Sequence, residues 1–500
     1  MLKIIKEVTK KDLEDFIYNI DVEDENLYTE LQNPDMLGIF QLSGTTAKRL
    51  VSEIQPINFD EVNATNAMSR PGPIENSGGY ISQKNGASSP YPKIVQDILK
   101  ETYGVLLFQE QILEVFHKIG GFSLEEADEI RNLMKRLGKA EKAEEDLKRW
   151  DVVVKKFVKG ATKNEIKQKM ALKIAEDLKM FSSYSFNKAH ATSYSYIAII
   201  TLYLSYYFRE YFYSALIADE TGSSLSEKLV KIRTQGINIV SPDINKSDIN
   251  FSPISSDSIS FGLRSIKGVS ETSSGYIVEN RPYKSFLDFV FKTRSRTVTS
   301  AVIKALISVG VFDEFFDNRK KLLFIFTKFW EEKKTIKVEE KLRALFEKIT
   351  EESERIPGLE TTSDDLIEYE NTYFGFNFFT SPFSEEKTKA FNEMSKRKLI
   401  SLSFNEVSAS SRKTPVFLSD MRSFKDKNDN DMAFLTVEDL FGKKESIPLF
   451  YSYCQHIGEE LETGKIYLFN LYRNDDDQVM FGQSAWVRNP FMIKRMIKKI

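Results

Sequence analysis

Ser183 to Ile200 reads SYSFNKAHATSYSYIAII and concentrates groups that phosphate chemistry uses: an amide at Asn187, a cation at Lys188 and an imidazole at His190. Phe186, His190, Tyr194, Ile197 and Thr201 recur at three- and four-residue steps, which predicts a helix with His190 and Tyr194 on one face and Lys188 on another. Ser183 or Ser185 is the expected cap. The positive end of the helix dipole beside Lys188 then favours an anion such as a triphosphate. The same residues also suit an ordinary capped helix with a solvated lysine and a packing histidine, so other segments have to decide.

Working upstream, the run ETYGVLLFQEQ leads from an apolar stretch, Tyr103 to Phe108, into a helix expected from about Gln109. Gly120-Gly121 should stop that helix, and Ser123 with Glu126 forms a capping box for the next, whose Arg131, Lys135 and Arg136 make a basic face. Asn66 to Tyr80 is broken by Pro71, Gly72, Pro73, Gly78 and Gly79 and reads as a shaped loop. Arg70 precedes its first proline, which favours extended backbone and a projecting guanidinium that can grip a phosphate, or a carboxylate instead. Gly38 to Ile54 turns into a helix near Thr45 that carries Lys48 and Arg49, a donor-rich start suited to a DNA backbone or simply to solvent.

Downstream, TLYLSYYFREYFYSALIA continues the helical pattern with aromatics that read as core rather than as a stacking platform. Loop signals between Gly236 and Phe251 mark a domain boundary. Ile266-Lys267-Gly268-Val269 then reads as a hairpin whose backbone N–H groups, at Lys267 and Gly268, suit a DNA phosphate, and TVTSAVIKALISVGVFDEF reads as a second such unit. A charged helix is expected over Arg319 to Glu354. From about Thr414 the period becomes two, giving five short strands with a helix, YSYCQHIGEEL, between the third and fourth, the pattern of an OB-like barrel. Arg281 to Arg296 and the tail holding Lys494, Arg495, Lys498 and Lys499 are basic patches that more often are solvated faces than binding sites.

Five hundred residues, 41% hydrophobic and 29% charged, suit about three ordinary globular domains, since roughly 150 residues is usual for one. The net charge of −3 carries no overall basic field, so nucleic-acid contact must come from local patches. No window reaches the ~18 apolar residues of a membrane span, and the charged start does not read as a secretory signal. A single cysteine, Cys454, excludes an internal disulfide and suits a reducing cytoplasm, and three scattered histidines make a His/Cys zinc site unexpected.

GIFQL, RPGP, TYGVLLFQEQ, ADEIRNLM, FNKAHATSY, PDIN, GLRSIKGV and ISVGVFDEF resemble, in the same order, segments of the bacterial replicative DNA polymerase III α subunit. With the OB-like end, the resemblance covers nearly the whole chain. It implies a multidomain, mainly α architecture followed by a C-terminal all-β OB-like barrel. Residues 1–238 would be the polymerase fingers region and 239–350 a tandem helix-hairpin-helix DNA-binding module. Residues 351–395 would be a helical linker and 396–500 the OB-like domain with its basic tail. By the resemblance, Arg70, Arg131, Lys188 and His190 face the incoming nucleotide and template, while Gln109, Gln111, Asn187 and Tyr194 line or support that site. The DNA contacts would fall to Lys48, Arg49, Lys135, Arg136, Lys267 and Gly268.

In this family a palm supplies three aspartates for two Mg²⁺ ions, and no PDxDxD-like motif occurs in this sequence. The expectation is therefore a chain with no metal or catalytic residue of its own, which needs a palm- and PHP-bearing partner to polymerise DNA. No glutamine-led hydrophobic peptide stands near the linker, so sliding-clamp contact has no motif behind it. The start at Met1 reads as a separately encoded half, as in a split gene of a phage or divergent replicon, located in the bacterial cytoplasm. The competing expectation is a non-catalytic DNA-binding remnant that kept its hairpins and barrel.

Overall fold

Side-chain caps start the helices that build the first site. Asp24 accepts from the N–H of Asn26 ahead of α1 (Glu25–Leu31), and after α2 (Thr45–Ile54) Asn58 accepts from Glu61 ahead of α3 (Phe59–Met68). In the computed structural model the described residues are 6, 12, 17–33, 37–137, 144–181, 185–293, 296–333, 338–381, 383, 385–397, 399–410, 412–440, 443–482 and 497–499. They fall into two units, Met1–Tyr213 and Ser214–Ile500.

The first unit continues with α4 (Ser77–Lys84), α5 (Lys93–Ile98), α6 (Gln109–Lys118), α7 (Leu124–Leu137), α8 (Glu144–Lys163), α9 (Gln168–Phe181) and α10 (Lys188–Tyr207), while α11 (Arg209–Ile217) runs across the division. The expected capping box is present: Glu126 accepts from the Ser123 N–H at 2.8 Å and Ser123 from the Glu126 N–H at 3.1 Å. Phe116, Phe122, Trp150 and Phe157 form the apolar centre of α6 to α9. Gly160 of α8 lies directly against Gly120, close enough that a Cβ on it would stand 2.1 Å from the Gly120 carbonyl oxygen. A second core, with Leu50, Met68, Tyr80, Leu107, Phe108 and Ala191, ties α2, α3 and α4 to the first turns of α10.

The second unit opens with α12 (Gly222–Thr234) and a small sheet of β1 (Asn238–Val240), β2 (Ser252–Ser255) and β3 (Ser258–Ser260), in which β3 is central and parallel to β1. Next come α13 (Glu271–Glu279), α14 (Phe286–Lys292) and α15 (Ser300–Ser308), capped by Ser270, Ser285 and Thr299. The charged segment expected as one helix is two, α16 (Arg319–Glu332) and α17 (Glu339–Ser353). Then follow α18 (Ser363–Tyr373) and α19 (Glu385–Lys396).

The barrel is built from β4 (Arg412–Lys425), β5 (Asp431–Glu438), β6 (Lys444–Leu449), α20 (Tyr451–Ile457), β7 (Lys465–Arg473), β8 (Val479–Phe481) and β9 (Ile497–Lys499). The antiparallel order is β6-β5-β4-β7-β8, with β9 also on β7, and β6 and β8 at the two ends of that order meet. The sheet thereby nearly closes into an OB-like barrel. A bulge between Leu418 and Asp420 lets long β4 turn from β7 to β5, and Tyr453 and Ile457 of α20 pack against the interior. Several cations of the basic patches are engaged within the chain. Arg281 donates to the carbonyls of Ile244 and Ser247, Lys292 pairs with Asp288, and Lys499 pairs with Glu462 at 2.7 Å. Arg294, Lys494, Arg495 and the side chain of Lys498 lie outside the described residues.

Burial puts a charge in doubt in this unit. Glu438 is pushed up to about 7, mainly by burial, against which Lys444 is only a partial offset and Asp439 and Glu370 push the same way; burial holds Lys444 below its usual range. A carboxyl whose folded pKa is raised contributes stability that is full below its unfolded pKa and lost as pH rises through the folded one. Unfolding midpoints of the second unit are therefore expected to fall between about pH 5 and pH 8, and Glu438→Gln to flatten that slope. Equal slopes in the two proteins would show Glu438 to be ionised throughout.

Candidate functional site

The first turn of α10 is organised by Asn187, not by Ser183 or Ser185 as expected. Asn187 is the N-cap and accepts from the His190 N–H at 2.7 Å, while Ser183 lies outside the described residues. A carboxylate already sits at this helix end: Glu110 accepts from the Lys188 N–H at 2.9 Å and from the Asn187 side-chain amide at 3.2 Å. The Lys188 ammonium is paired with Glu101. The anion position read from the sequence is thus filled from within the chain, by residues 78 and 87 positions away.

Rings tilted against one another fill the face beside that turn. His190 and Tyr194 stand 4.2 Å apart, Phe186 is 5.6 Å from His190, and the Arg70 guanidinium lies 4.8 Å from the Phe186 ring and 6.0 Å from Tyr194. Arg70 arrives there from the end of α3 through Pro71 and Gly72, whose φ of +95° is open to glycine but strained for other residues. The backbone of Phe186 is gripped on both sides, donating to Leu107 O at 3.1 Å and accepting from Gln109 N–H at 2.9 Å.

Gln109 completes the link. Its amide nitrogen donates to Ser185 O at 3.1 Å, and its oxygen accepts from Arg131 at 3.0 Å; Arg131 also pairs with Asp128 at 2.7 Å. Arg70, Arg131 and Lys188 therefore meet around one turn, Ser185 to Lys188. The Nε atoms of Arg70 and Arg131 are buried there without a hydrogen-bond partner among the described residues. Gln111 stands on the supporting side of that group. It is 2% exposed, accepts from the N–H groups of Leu107 and Phe108 at 2.9 Å each and donates to Thr102 at 2.7 Å, so its polar atoms are used in holding the loop.

Support residues not singled out in the sequence lie one layer below. Asn63 donates to Thr192 at 3.2 Å, Asn66 to Ser195 at 3.3 Å, and Ser195 to Asn63 at 3.4 Å, a polar ladder that sets α3, and with it Arg70, against α10. The signal was available as two asparagines three apart in a helix with eight buried residues of ten. Glu61, 1% exposed, accepts from Lys84 at 2.7 Å and from the Tyr103 hydroxyl, bracing the turn that precedes Gln109.

The residues expected to contact DNA differ in how far they are engaged within the chain. Arg49 pairs with Glu53 at 2.9 Å, Lys48 is half-buried, Lys135 is exposed, and Arg136 forms a two-point pair with Asp146 at 3.1 and 3.2 Å. In the second unit the Lys267 N–H, expected for a phosphate, donates instead to Tyr373 O at 2.7 Å. Gly268 is exposed at φ +92° with nothing within 4 Å of a built Cβ. At the second hairpin the Arg319 guanidinium covers Gly310. The first hairpin is the open one.

Among the described residues no group of three or more His, Cys, Asp or Glu side chains is arranged to hold a metal ion. The carboxylates at the Ser185–Lys188 turn, Glu101 and Glu110, are engaged with Lys188 and the α10 terminus. The donors left there are cations, which suit phosphate and do not fit a Mg²⁺ pair.

The architecture is a helical body that carries this turn, followed in the chain by hairpins and an OB-like barrel. Residues 1–165 match the family described as the bacterial DNA polymerase III alpha subunit finger domain, and residues 236–322 match the helix-hairpin-helix motif. The chain is similar to the DNA polymerase III subunit alpha of Aquifex aeolicus, 34% identical over 337 residues, 64% of this chain and 28% of the relative. Against that of Bacillus subtilis it is 30% identical over 439 residues, 86% of this chain and 38% of the relative. Against that of Staphylococcus epidermidis it is 29% identical over 460 residues, 88% and 41%. The chain is thus a homologue of the C-terminal half of the bacterial DNA polymerase III alpha subunit, and it spans less than half the length of these relatives.

Proposed function

We propose that this chain is the nucleotide-gripping and DNA-holding part of a replicative DNA polymerase, which binds dNTP and primer–template DNA and completes its active site with a palm-bearing chain in the bacterial cytoplasm. The observation that carries the reading is the meeting of Arg70, Arg131 and Lys188 at the Ser185–Lys188 turn. Phosphoryl transfer asks a protein mainly for positioning and for neutralisation of phosphate charge. In this reading the guanidinium of Arg70, packed over the Phe186 ring, grips phosphate oxygens, Arg131 and Gln109 hold the turn in place, and His190 and Tyr194 provide a ring surface beside it. Mg²⁺ chemistry belongs to the palm of the partner. The exposed Gly268 hairpin contacts the DNA backbone without reading sequence.

Mixing the purified chain with a palm-bearing partner, Mg²⁺, dNTPs and primed DNA is expected to give primer extension, and the chain alone to give none. Extension by the chain alone would overturn the division of labour between two chains. Glu101 and Glu110 favour a second reading, in which the anion positions stay closed and only DNA binding remains. Glu101→Gln separates the two. Releasing Lys188 is expected to tighten dNTP binding roughly fivefold, the size of about 1 kcal/mol for a partly exposed ion pair. Unchanged dNTP binding together with salt-dependent DNA binding would select the second reading.

A further inference from the structure

The second unit holds a polar cavity of about 250 Å³ that none of the roles above uses. Arg233 and Thr234 of α12, Asn377 and Phe378 of the loop after α18, Glu438 at the end of β5 and Lys444 at the start of β6 line it. The loop is fixed: the buried Glu370 carboxylate accepts from the N–H groups of Phe378 at 2.7 Å and Phe379 at 3.0 Å and from the Thr380 hydroxyl. Asn377 on this tied loop is 5% exposed, yet neither its side-chain nitrogen nor its oxygen has a hydrogen-bond partner among the described residues. Glu438 Oε2 is buried and has no hydrogen-bond partner among them either, only a long ion pair of 3.8 Å with Lys444 Nζ, which donates to Ser226 at 2.8 Å.

Each unsatisfied buried polar atom costs about 1–3 kcal/mol, so a fixed loop that leaves a whole amide unpaired calls for an occupant that pairs with it. A side-chain amide offers a donor and an acceptor side by side, the pattern that meets adenine at N6 and N7 with two hydrogen bonds. Beside it, the Arg233 guanidinium lies 4.0 Å from the Phe378 ring centroid, and that pairing of a cation with a ring at the rim suits a base plane and its phosphate.

We propose that this cavity is a nucleobase pocket, in which one unstacked base, adenine by preference, pairs with the Asn377 amide while its phosphate lies on Arg233. Glu438 Oε2 accepts from a base N–H. The base belongs either to a free nucleotide or to a single strand of DNA. The pocket lies in the second unit and does not depend on the fingers reading.

The test uses the full chain carrying Arg70→Ala and Lys188→Ala, so that nucleotide held by the first unit is silent. A short single-stranded oligodeoxyadenylate is expected to bind roughly tenfold tighter than the same strand with its bases removed, as one good two-bond base contact predicts. Asn377→Leu is expected to erase the difference. Thr234→Trp, a change at an exposed rim position, should do the same without touching the interior. Deoxyadenosine monophosphate that competes with the strand assigns the pocket to free nucleotide, and a monophosphate without effect assigns it to a strand base. Equal binding of the two strands, or a difference that survives both substitutions, would leave a water-filled polar cavity and overturn the proposal.

Discussion

Replacing Arg70 with alanine is expected to weaken the dNTP dependence of primer extension by about 30- to 150-fold in a reconstituted polymerase. The estimate is the loss of charge-assisted hydrogen bonds worth about 2–3 kcal/mol. The geometry gives a graded outcome. Arg70 lies over Phe186 at 4.8 Å, and its buried Nε has no hydrogen-bond partner among the described residues, so packing on the ring limits the freedom the fork has left to lose on binding. Arg70→Lys keeps the charge but not the fork or the stacking, and should fall between wild type and alanine. The measurement is a dNTP titration of extension, with thermal unfolding of each variant beside it. An alanine variant with wild-type dNTP dependence would remove Arg70 from the nucleotide site. Should the lysine variant be as poor as alanine, shape and not charge would be what Arg70 supplies.

The largest effect on stability is expected at Gly160. An added Cβ would lie 2.1 Å from the Gly120 carbonyl oxygen and 2.4 Å from its carbon, both backbone atoms that no side-chain rotation can move away. Gly160→Ala must therefore push α8 off the end of α6, at a cost of about 3 kcal/mol or more. Gly78, in α4, is the contrasting position: nothing lies within 4 Å of its built Cβ, so alanine there should stabilise by up to about 1 kcal/mol through helix propensity. Chemical denaturation followed by a probe in the first unit distinguishes the two. Equal stabilities would mean that the approach of Gly160 to Gly120 is looser than described.

Local chemistry was legible wherever neighbours in sequence set the outcome. The Ser123–Glu126 box closes a helix three residues long in its reach, and both bonds form. The alternation after Thr414 gave the strands of the barrel, because a period of two puts Val416 and Leu418 or Leu435 and Val437 on the buried face whatever lies across from them. The contact of the His190 and Tyr194 rings follows in the same way from a four-residue step on a helix. What failed was the assignment of free donors. The Lys267 N–H looked open and is bound to Tyr373, more than a hundred residues along the chain, while Gln111, expected to line or support the site, is a buried strut of the loop beside it.

The Ser123–Glu126 cap and the barrel strands follow from the sequence alone, since each depends on spacing within a turn or two, whereas the cap of α10 fell to Asn187 and not to the serines before it. Which donors remain available was decided by the tertiary structure. Glu101 and Glu110 reach Lys188 and the α10 terminus, and Asn63 and Asn66 set α3 against α10, only because the chain returns on itself. The physical reason is that a charge or an amide acts through the group nearest in space, and folding, not sequence separation, chooses that neighbour.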